Sequence, residues 1–307
     1  MPRFFQRNFK KKFELSYEFE HLDNQGEITT IDVSSNFKFY FSIPNRFSLF
    51  DPKTKALLAI CPVGSKITIT LSIPELNLLV SGFFNGYVVI FNTPQVTVKI
   101  QKQVFSSAIS GLALTNDSNF LVCSTFQDPI RIIKIADLST FKEIQTSGLS
   151  ITCMAFIKDN NYIVSGTAQN QLAIWNYTSS VKEFELQGHT SAVKCVIVSR
   201  NSKYIVSGGE DRLIKIWDLN SRLCIINLNG HNNHITTLKF TPDGKHIISG
   251  SKDSTIRLWD LKKYISKYIL VGHSGIVNCV DVSPDGKWIY SGSSEKKIFG
   301  WCLEGKI

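Results

Sequence analysis

Tryptophan recurs in this chain at a fixed interval of 42 residues, at Trp175, Trp217, Trp259 and Trp301. Gly-His dipeptides recur at the same interval, at Gly188-His189, Gly230-His231 and Gly272-His273. A sequence period of this length is typical of proteins built from repeated supersecondary units. We therefore expect the fold to consist of similar units placed side by side.

The repeat continues towards the N-terminus in weaker copies. In the third copy Ala136 takes the place of tryptophan, because Arg131-Ile-Ile-Lys-Ile precedes it much as Arg212-Leu-Ile-Lys-Ile precedes Trp217. Two earlier copies end in the aromatic residues Phe91 and Phe50. The sequence thus predicts seven units across nearly the whole chain, ending near residues 50, 91, 136, 175, 217, 259 and 301.

Within each unit the pattern is that of β-strands. Short runs of Val, Ile, Leu and Phe alternate with turn sequences such as Pro242-Asp243-Gly244, and no stretch has the period of a long amphipathic helix. One run in most units ends in Ser-Gly, as at Ser207-Gly208, and is followed by a tight turn and the run into the aromatic marker. We expect four strands per unit.

Gly-His, Ser-Gly, Asp and Trp-Asp at this period resemble the WD-repeat family of β-propellers. The resemblance implies an all-β fold, a seven-bladed β-propeller of four-stranded antiparallel blades. Only six residues follow Trp301, too few for a last strand, whereas residues 13–20 alternate between apolar and polar. We expect this N-terminal strand to close the ring, giving a basic arm (1–12) and a single propeller domain (13–307).

The resemblance also implies a buried hydrogen-bonded chain of Asp, His, Ser and Trp in each well-formed blade. Such groups can satisfy one another's hydrogen bonds. The residues at these positions are His189, Ser207, Asp211 and Trp217, then His231, Ser249, Asp253 and Trp259, and in the last blade His273, Ser291 and Trp301, where Glu295 replaces the aspartate. Blade four has Gln169 and Ser147 at the Asp and His positions.

These residue types also occur in hydrolase triads, but here they recur in register, whereas an enzyme needs one special nucleophile. His231 and His234 form an HxxH sequence, yet no cysteine or carboxylate at ligand spacing accompanies it. Walker, dinucleotide-binding, kinase and GxSxG motifs are absent. We therefore predict no enzyme activity, catalytic residue, metal, cofactor or small-molecule substrate.

The resemblance instead implies a scaffold for protein–protein interactions, with one or more protein partners in a larger assembly. Candidate contacts lie just before the tight-turn Asp position, where each blade faces one mouth of the ring: Ile43, Phe84, Gln127, Ala168, Glu210, Lys252 and Ser294. Phe83 joins them, because two adjacent phenylalanines in a short turn are difficult to bury together. Packing of one of them between blades is the alternative.

Charge suggests a second class of partner. The net charge is +9, and five cations lie in the first twelve residues: Arg3, Arg7, Lys10, Lys11 and Lys12. Interleaved with phenylalanines, they could bind nucleic acid, a ribonucleoprotein, an acidic groove or anionic lipid, or form only a solvated tail.

The compartment is predicted from cysteines and hydropathy. Seven cysteines, an odd number without CxxC, favour reduced thiols inside a cell. No apolar run resembles a signal peptide or membrane span. We expect an intracellular, cytoplasmic protein that is not secreted, with the nucleus as the alternative compartment.

Overall fold

The strands assemble into seven four-stranded antiparallel sheets arranged in a ring. In this computed structural model the residues described are 15–20, 26–34, 38–44, 46–51, 54, 56–93, 95–158 and 161–303. The predicted all-β, seven-bladed propeller is confirmed.

The divergent half of the ring holds blades one to three. Blade one contains β2 (Thr30–Val33), β3 (Phe39–Ile43), β4 (Arg46–Asp51) and β5 (Ala56–Pro62). Blade two contains β6 (Ile67–Ile73), β7 (Leu78–Phe83), β8 (Tyr87–Asn92) and β9 (Thr97–Gln103), with a short 3-10 helix at Pro74–Leu76. Blade three contains β10 (Ile109–Leu114), β11 (Phe120–Thr125), β12 (Ile130–Lys134) and β13 (Thr140–Ile144).

The regular half holds the other four blades. Blade four contains β14 (Ile151–Ile157), β15 (Tyr162–Thr167), β16 (Gln171–Asn176) and β17 (Lys182–Gln187). Blade five contains β18 (Val193–Val198), β19 (Tyr204–Gly209), β20 (Ile214–Asp218) and β21 (Leu223–Leu228). Blade six contains β22 (Ile235–Phe240), β23 (His246–Ser251), β24 (Thr255–Asp260) and β25 (Ile265–Val271). Blade seven contains β26 (Val277–Val282), β27 (Trp288–Ser293), β28 (Lys297–Cys302) and β1 (Leu15–Glu20).

Blade seven is completed by the N-terminal strand. β1 pairs antiparallel with β28, from Leu15 opposite Trp301 to Glu20 opposite Lys297. The predicted closure is therefore confirmed, and it covers an edge of β28 that would otherwise carry unpaired backbone groups.

The core lies between blades rather than inside any one of them. The described residues form seven hydrophobic clusters, and each draws its side chains from two neighbouring blades. The Ser-Gly sequences serve this packing. A Cβ on Gly208 would lie 2.5 Å from Cγ2 of Ile235 in the next blade, and one on Gly166 would lie 2.7 Å from Cγ1 of Val193. Glycine is thus required where the innermost strand of the following blade packs closely.

Strand pairing corrects the predicted end of the third repeat. Trp217 lies opposite Ile205, and the residue at that place in blade three is Ile133, opposite Leu121. Ala136 lies beyond the end of β12. The marker residues from Phe91 to Trp301, including Ile133, are thus 42 residues apart throughout. Strand pairing sets this register, and the local similarity of Arg131-Ile-Ile-Lys-Ile to the later repeats was misleading.

Candidate functional site

Blades five and six carry the buried polar chain that the sequence suggested. The Trp217 indole N–H donates to Ser207 Oγ at 2.8 Å, and His189 lies 2.7 Å from Ser207 Oγ and 2.8 Å from Asp211 Oδ2. Blade six repeats this geometry with Trp259, Ser249, His231 and Asp253 at the same distances.

The protons of this chain can be placed from its chemistry. Burial opposes ionisation of Asp211, but hydrogen bonds from His189 and the Thr190 amide hold the pKa of this carboxyl below its ordinary value. An ionised carboxylate only accepts, so His Nδ1–H donates to Asp and Ser Oγ–H donates to His Nε2. Burial also lowers the pKa of His231, which keeps that imidazole neutral. The serine hydroxyl faces a buried histidine and indole, an arrangement that stabilises the blade.

Blade seven keeps the chain with glutamate in place of aspartate. His273 hydrogen-bonds Glu295 and lies 2.8 Å from Ser291 Oγ, to which the Trp301 indole donates at 2.9 Å. The longer glutamate side chain also accepts from the Ser274 amide at 3.0 Å. The structure therefore brings these four residues together despite the substitution.

Blade four retains only part of the chain. Trp175 donates to Ser165 Oγ at 2.9 Å, whereas Gln169 accepts from the Ser150 amide at 3.1 Å. Blades one and two contain stacked aromatic rings instead, with Phe47 stacked on Tyr40 and on Phe91 at centroid distances of 5.9 and 5.3 Å.

The mouth of the ring is defined by the residue that follows the second strand of each blade. The amides of Phe84, Glu210, Lys252 and Ser294 each donate at 2.9 Å to the carbonyl just before the innermost strand of the same blade. These four predicted contacts therefore occupy equivalent positions. Ala168 makes the same bond in blade four.

Two predicted mouth positions need correction. Phe83 and Thr125 pair with Ile67 and Ile109, the first residues of equivalent strands, so the counterpart of Phe84 in blade three is Phe126 rather than Gln127. In blade one Ile43 ends β3 and is buried, and the next residue, Pro44, is half-buried. The error in blade three arose because the prediction aligned Asp128 with the turn aspartates of the later blades.

Phe83 does not contribute to the mouth surface. Its side chain is 3 % exposed, in the cluster between blades one and two, whereas Phe84 is 64 % exposed. Phe126 is 46 % exposed and was missed by the sequence analysis, although a strict spacing of 42 residues from Phe84 would have found it. Phe84, Phe126 and exposed Ala168 form what we call the apolar arc.

The other half of the mouth is polar. Glu210 Oε1 lies 3.7 Å from the ammonium group of Lys194 and 4.0 Å from His234 Nδ1. Lys252 is exposed, and Ser294 Oγ accepts from the Ile276 amide at 2.9 Å. The mouth thus presents an apolar arc on blades two to four and charges on blades five and six.

A charged relay crosses the place where the ring closes. Lys239 Nζ lies 2.8 Å from Asp281 Oδ1, and Asp281 Oδ2 accepts from the Val33 amide at 2.7 Å. Asp32 in turn accepts from the Ser72 amide at 3.2 Å. The relay links the innermost strands of blades six, seven, one and two, whereas Leu71, Ala113, Ala155 and Ile197 hold the same position elsewhere.

Asp32 makes the relay sensitive to pH. Burial and then the neighbouring Asp281 carboxylate raise the pKa of Asp32 from 3.8 to about 6. Lys239, whose side chain is partly exposed and whose pKa is raised by Asp281 and Asp32, offsets only part of the cost. Because the folded state binds a proton between about pH 6 and 4 that the unfolded state does not, ionised Asp32 destabilises the ring above about pH 6.

Asp32→Asn is therefore expected to raise the free energy of unfolding at pH 7.5 by roughly 1–3 kcal/mol. At pH 4.5 the variant and the native chain should differ much less, because Asp32 is then protonated. Chemical unfolding at both pH values measures the difference. An equal effect at the two pH values would contradict the assignment. The variant retains the other titratable groups of the relay, Asp281 and Lys239, and the two that interact with it, Tyr40 and Cys279.

Metal-ligand groups, thiols and helices were also predicted or excluded from the sequence, and the described residues show the following. No group of three or more His, Cys, Asp or Glu side chains within them is arranged to hold a metal ion. The seven cysteines are free thiols, and burial raises the pKa of Cys153 to about 11. In the same part of the chain no helix has the length and apolar character to cross a membrane. The basic residues Arg3, Arg7, Lys10, Lys11 and Lys12 lie outside the described residues.

The ring of seven interlocked blades, with repeated Asp-His-Ser-Trp chains, defines a WD-type β-propeller. The family profile "WD domain, G-beta repeat" matches residues 138–176, 180–218, 222–260 and 265–302, about half of the chain. The chain belongs to this WD40 family. Each matched repeat holds the outer strand of one blade and three strands of the next, which explains why the last blade needs β1. Comparison with curated proteins finds no match.

Proposed function

We propose that the protein is a non-enzymatic scaffold that mediates protein–protein interactions within a multiprotein complex. WD40 propellers are generally interaction scaffolds. The observation that carries the proposal is the apolar arc, where Phe84 and Phe126 are exposed at equivalent positions of adjacent blades. Exposed aromatic side chains on a rigid framework are the usual anchors of protein interfaces.

The charged residues of the mouth would fix the orientation of a bound partner. Glu210 and Lys252 follow the second strands of blades five and six, which continue the ring beyond the apolar arc of blades two to four. A partner lying over the mouth would place apolar side chains on blades two to four and charged groups on blades five and six. Charge complementarity of this kind contributes to association rate and specificity more than to affinity.

Phe84→Glu together with Phe126→Glu is expected to abolish capture of the native partners and to leave the free energy of unfolding within about 1 kcal/mol of the native value. The reason is that both side chains are exposed in the turns that follow β7 and β11. Affinity purification followed by mass spectrometry compares the co-purifying proteins, and thermal unfolding measures stability. Phe141→Glu is the matched control, because Phe141 is 54 % exposed on β13, outside the mouth.

Retention of every partner by the double variant would contradict the proposal. Loss of partners together with a large loss of stability would show that these rings serve packing between blades instead.

Binding of nucleic acid or a ribonucleoprotein through the basic arm is the alternative function. The five cations within residues 1–12 favour it. The same purification separates the two functions, since partners held through RNA or DNA would be released by nuclease or by raised salt and would be unaffected by the substitutions in the apolar arc.

A further inference from the structure

A concave surface lies on the face opposite the mouth. The turns between the first and second strands of blades five and six border a cavity of 880 Å³ in the groove between these blades. Its wall is mainly apolar and includes Tyr204, Ile225, Phe240 and Tyr264. The volume is in the range of pockets that hold ligands or anchoring side chains of a partner. We call this surface the blade five–six groove.

Three large apolar side chains that line the groove are exposed to solvent. Tyr204 is 37 % exposed, Ile225 is 42 % exposed and Tyr264 is 45 % exposed. These side chains come from two blades and border one cavity, so together they form a larger apolar patch than isolated surface residues would.

Positive charge surrounds this cavity. Five exposed cations either border it or directly neighbour its lining residues in the chain: Arg200, Lys203, Lys245, Lys262 and Lys263. Within the described part of the chain none of the five forms an ion pair. Their positive charge is offset only at longer range, by Asp218 for Lys203, Asp243 for Lys245 and Asp260 for Lys263.

Nearby carboxylates are held by their own turns. Asp243 accepts from Thr241 Oγ1 at 2.6 Å and from the Lys245 amide at 3.0 Å. Asp260 accepts from the amides of Lys262 and Lys263 at 2.8 and 3.0 Å. These aspartates stabilise the turns that present the lysines, and they do not pair with the lysine ammonium groups.

We propose that the blade five–six groove binds an acidic segment of a partner protein that inserts large apolar side chains into the cavity. The apolar wall would take the inserted side chains, and the five cations would attract the flanking carboxylates. The charge excludes the protein's own candidates, because the arm is basic and a second copy also carries +9. This surface is separate from the mouth, so the scaffold would engage two partners on opposite faces.

Selection of a displayed library of random peptides on the full-length protein tests the proposal. We expect the enriched peptides to combine Asp or Glu with Leu, Phe or Trp and to bind less tightly as salt increases. The charge reversals Lys262→Glu with Lys263→Glu should weaken their binding by about tenfold or more. Lys99→Glu with Lys102→Glu on β9 is the control, because it changes the net charge equally at exposed sites far from the groove.

Arg200→Glu with Lys203→Glu repeats the test from blade five if the first variant does not fold. Several results would overturn the proposal: no enrichment above the background of an unrelated protein, enriched peptides without acidic residues, or equal loss of binding in the control variant. Loss with Phe84→Glu but not with Lys262→Glu would assign the peptides to the mouth and would also reject the groove, whereas failure of the groove leaves the mouth proposal intact.

Discussion

Trp217→Ala should lower the free energy of unfolding by about 3–5 kcal/mol. The indole is 1 % exposed, packs in the cluster between blades four and five and donates to Ser207. The substitution leaves a cavity and removes one hydrogen-bond partner of the Ser207 hydroxyl. Denaturant unfolding followed by circular dichroism measures the change, and an unchanged midpoint would contradict the buried assignment.

Trp217→Phe separates the two contributions of the indole. Phenylalanine retains most of the packing but cannot donate to Ser207 Oγ, so we expect a smaller loss of about 1–2 kcal/mol. Equal losses in the two variants would show that the hydrogen-bonded chain, rather than the packing, stabilises the blade.

Deletion of residues 1–20 should make the protein aggregate or lower its melting temperature by roughly 10 °C or more. The deletion removes β1, so β28 becomes an open edge. Among the described residues β1 is the only strand that joins the N-terminal end of the chain to the last blade by backbone pairing. Deletion of residues 1–11 retains β1 and is the control, with an expected change of about 1–2 °C. A soluble chain from residue 21 with native melting temperature would show that β1 contributes little to closure.

The regular half of the fold was predictable because its repeats carry both the tryptophan and the Gly-His signal. The resemblance carried by that spacing implied the pairing of Trp217, Trp259 and Trp301 with their serines, and the structure contains it. In blade three these signals are missing, so a local similarity around Arg131 shifted the predicted marker by three residues, from Ile133 to Ala136. The same loss of register concealed Phe126.

The charged relay could not be predicted because its members are far apart in the chain. Val33 and Asp281 are separated by 248 residues and meet only when the ring closes. Sequence periodicity reports what each blade contains, whereas contacts between the first and last blades depend on the closed geometry. The sequence analysis placed both Phe83 and Phe84 at the mouth and gave burial of one of them as the alternative. The structure buries Phe83, because this residue is the last of β7 and its side chain faces the neighbouring blade.

Closure by β1 has a consequence for synthesis of the chain on the ribosome. Glu20 pairs with Lys297, so β1 must wait for roughly 280 further residues, or some 15–60 s of elongation at ordinary rates. Blades one to six each contain only strands that are consecutive in the chain and can pair as they emerge. β1 remains a strand edge without its partner throughout this time, and the nascent chain therefore depends on protection of that segment until blade seven has been made.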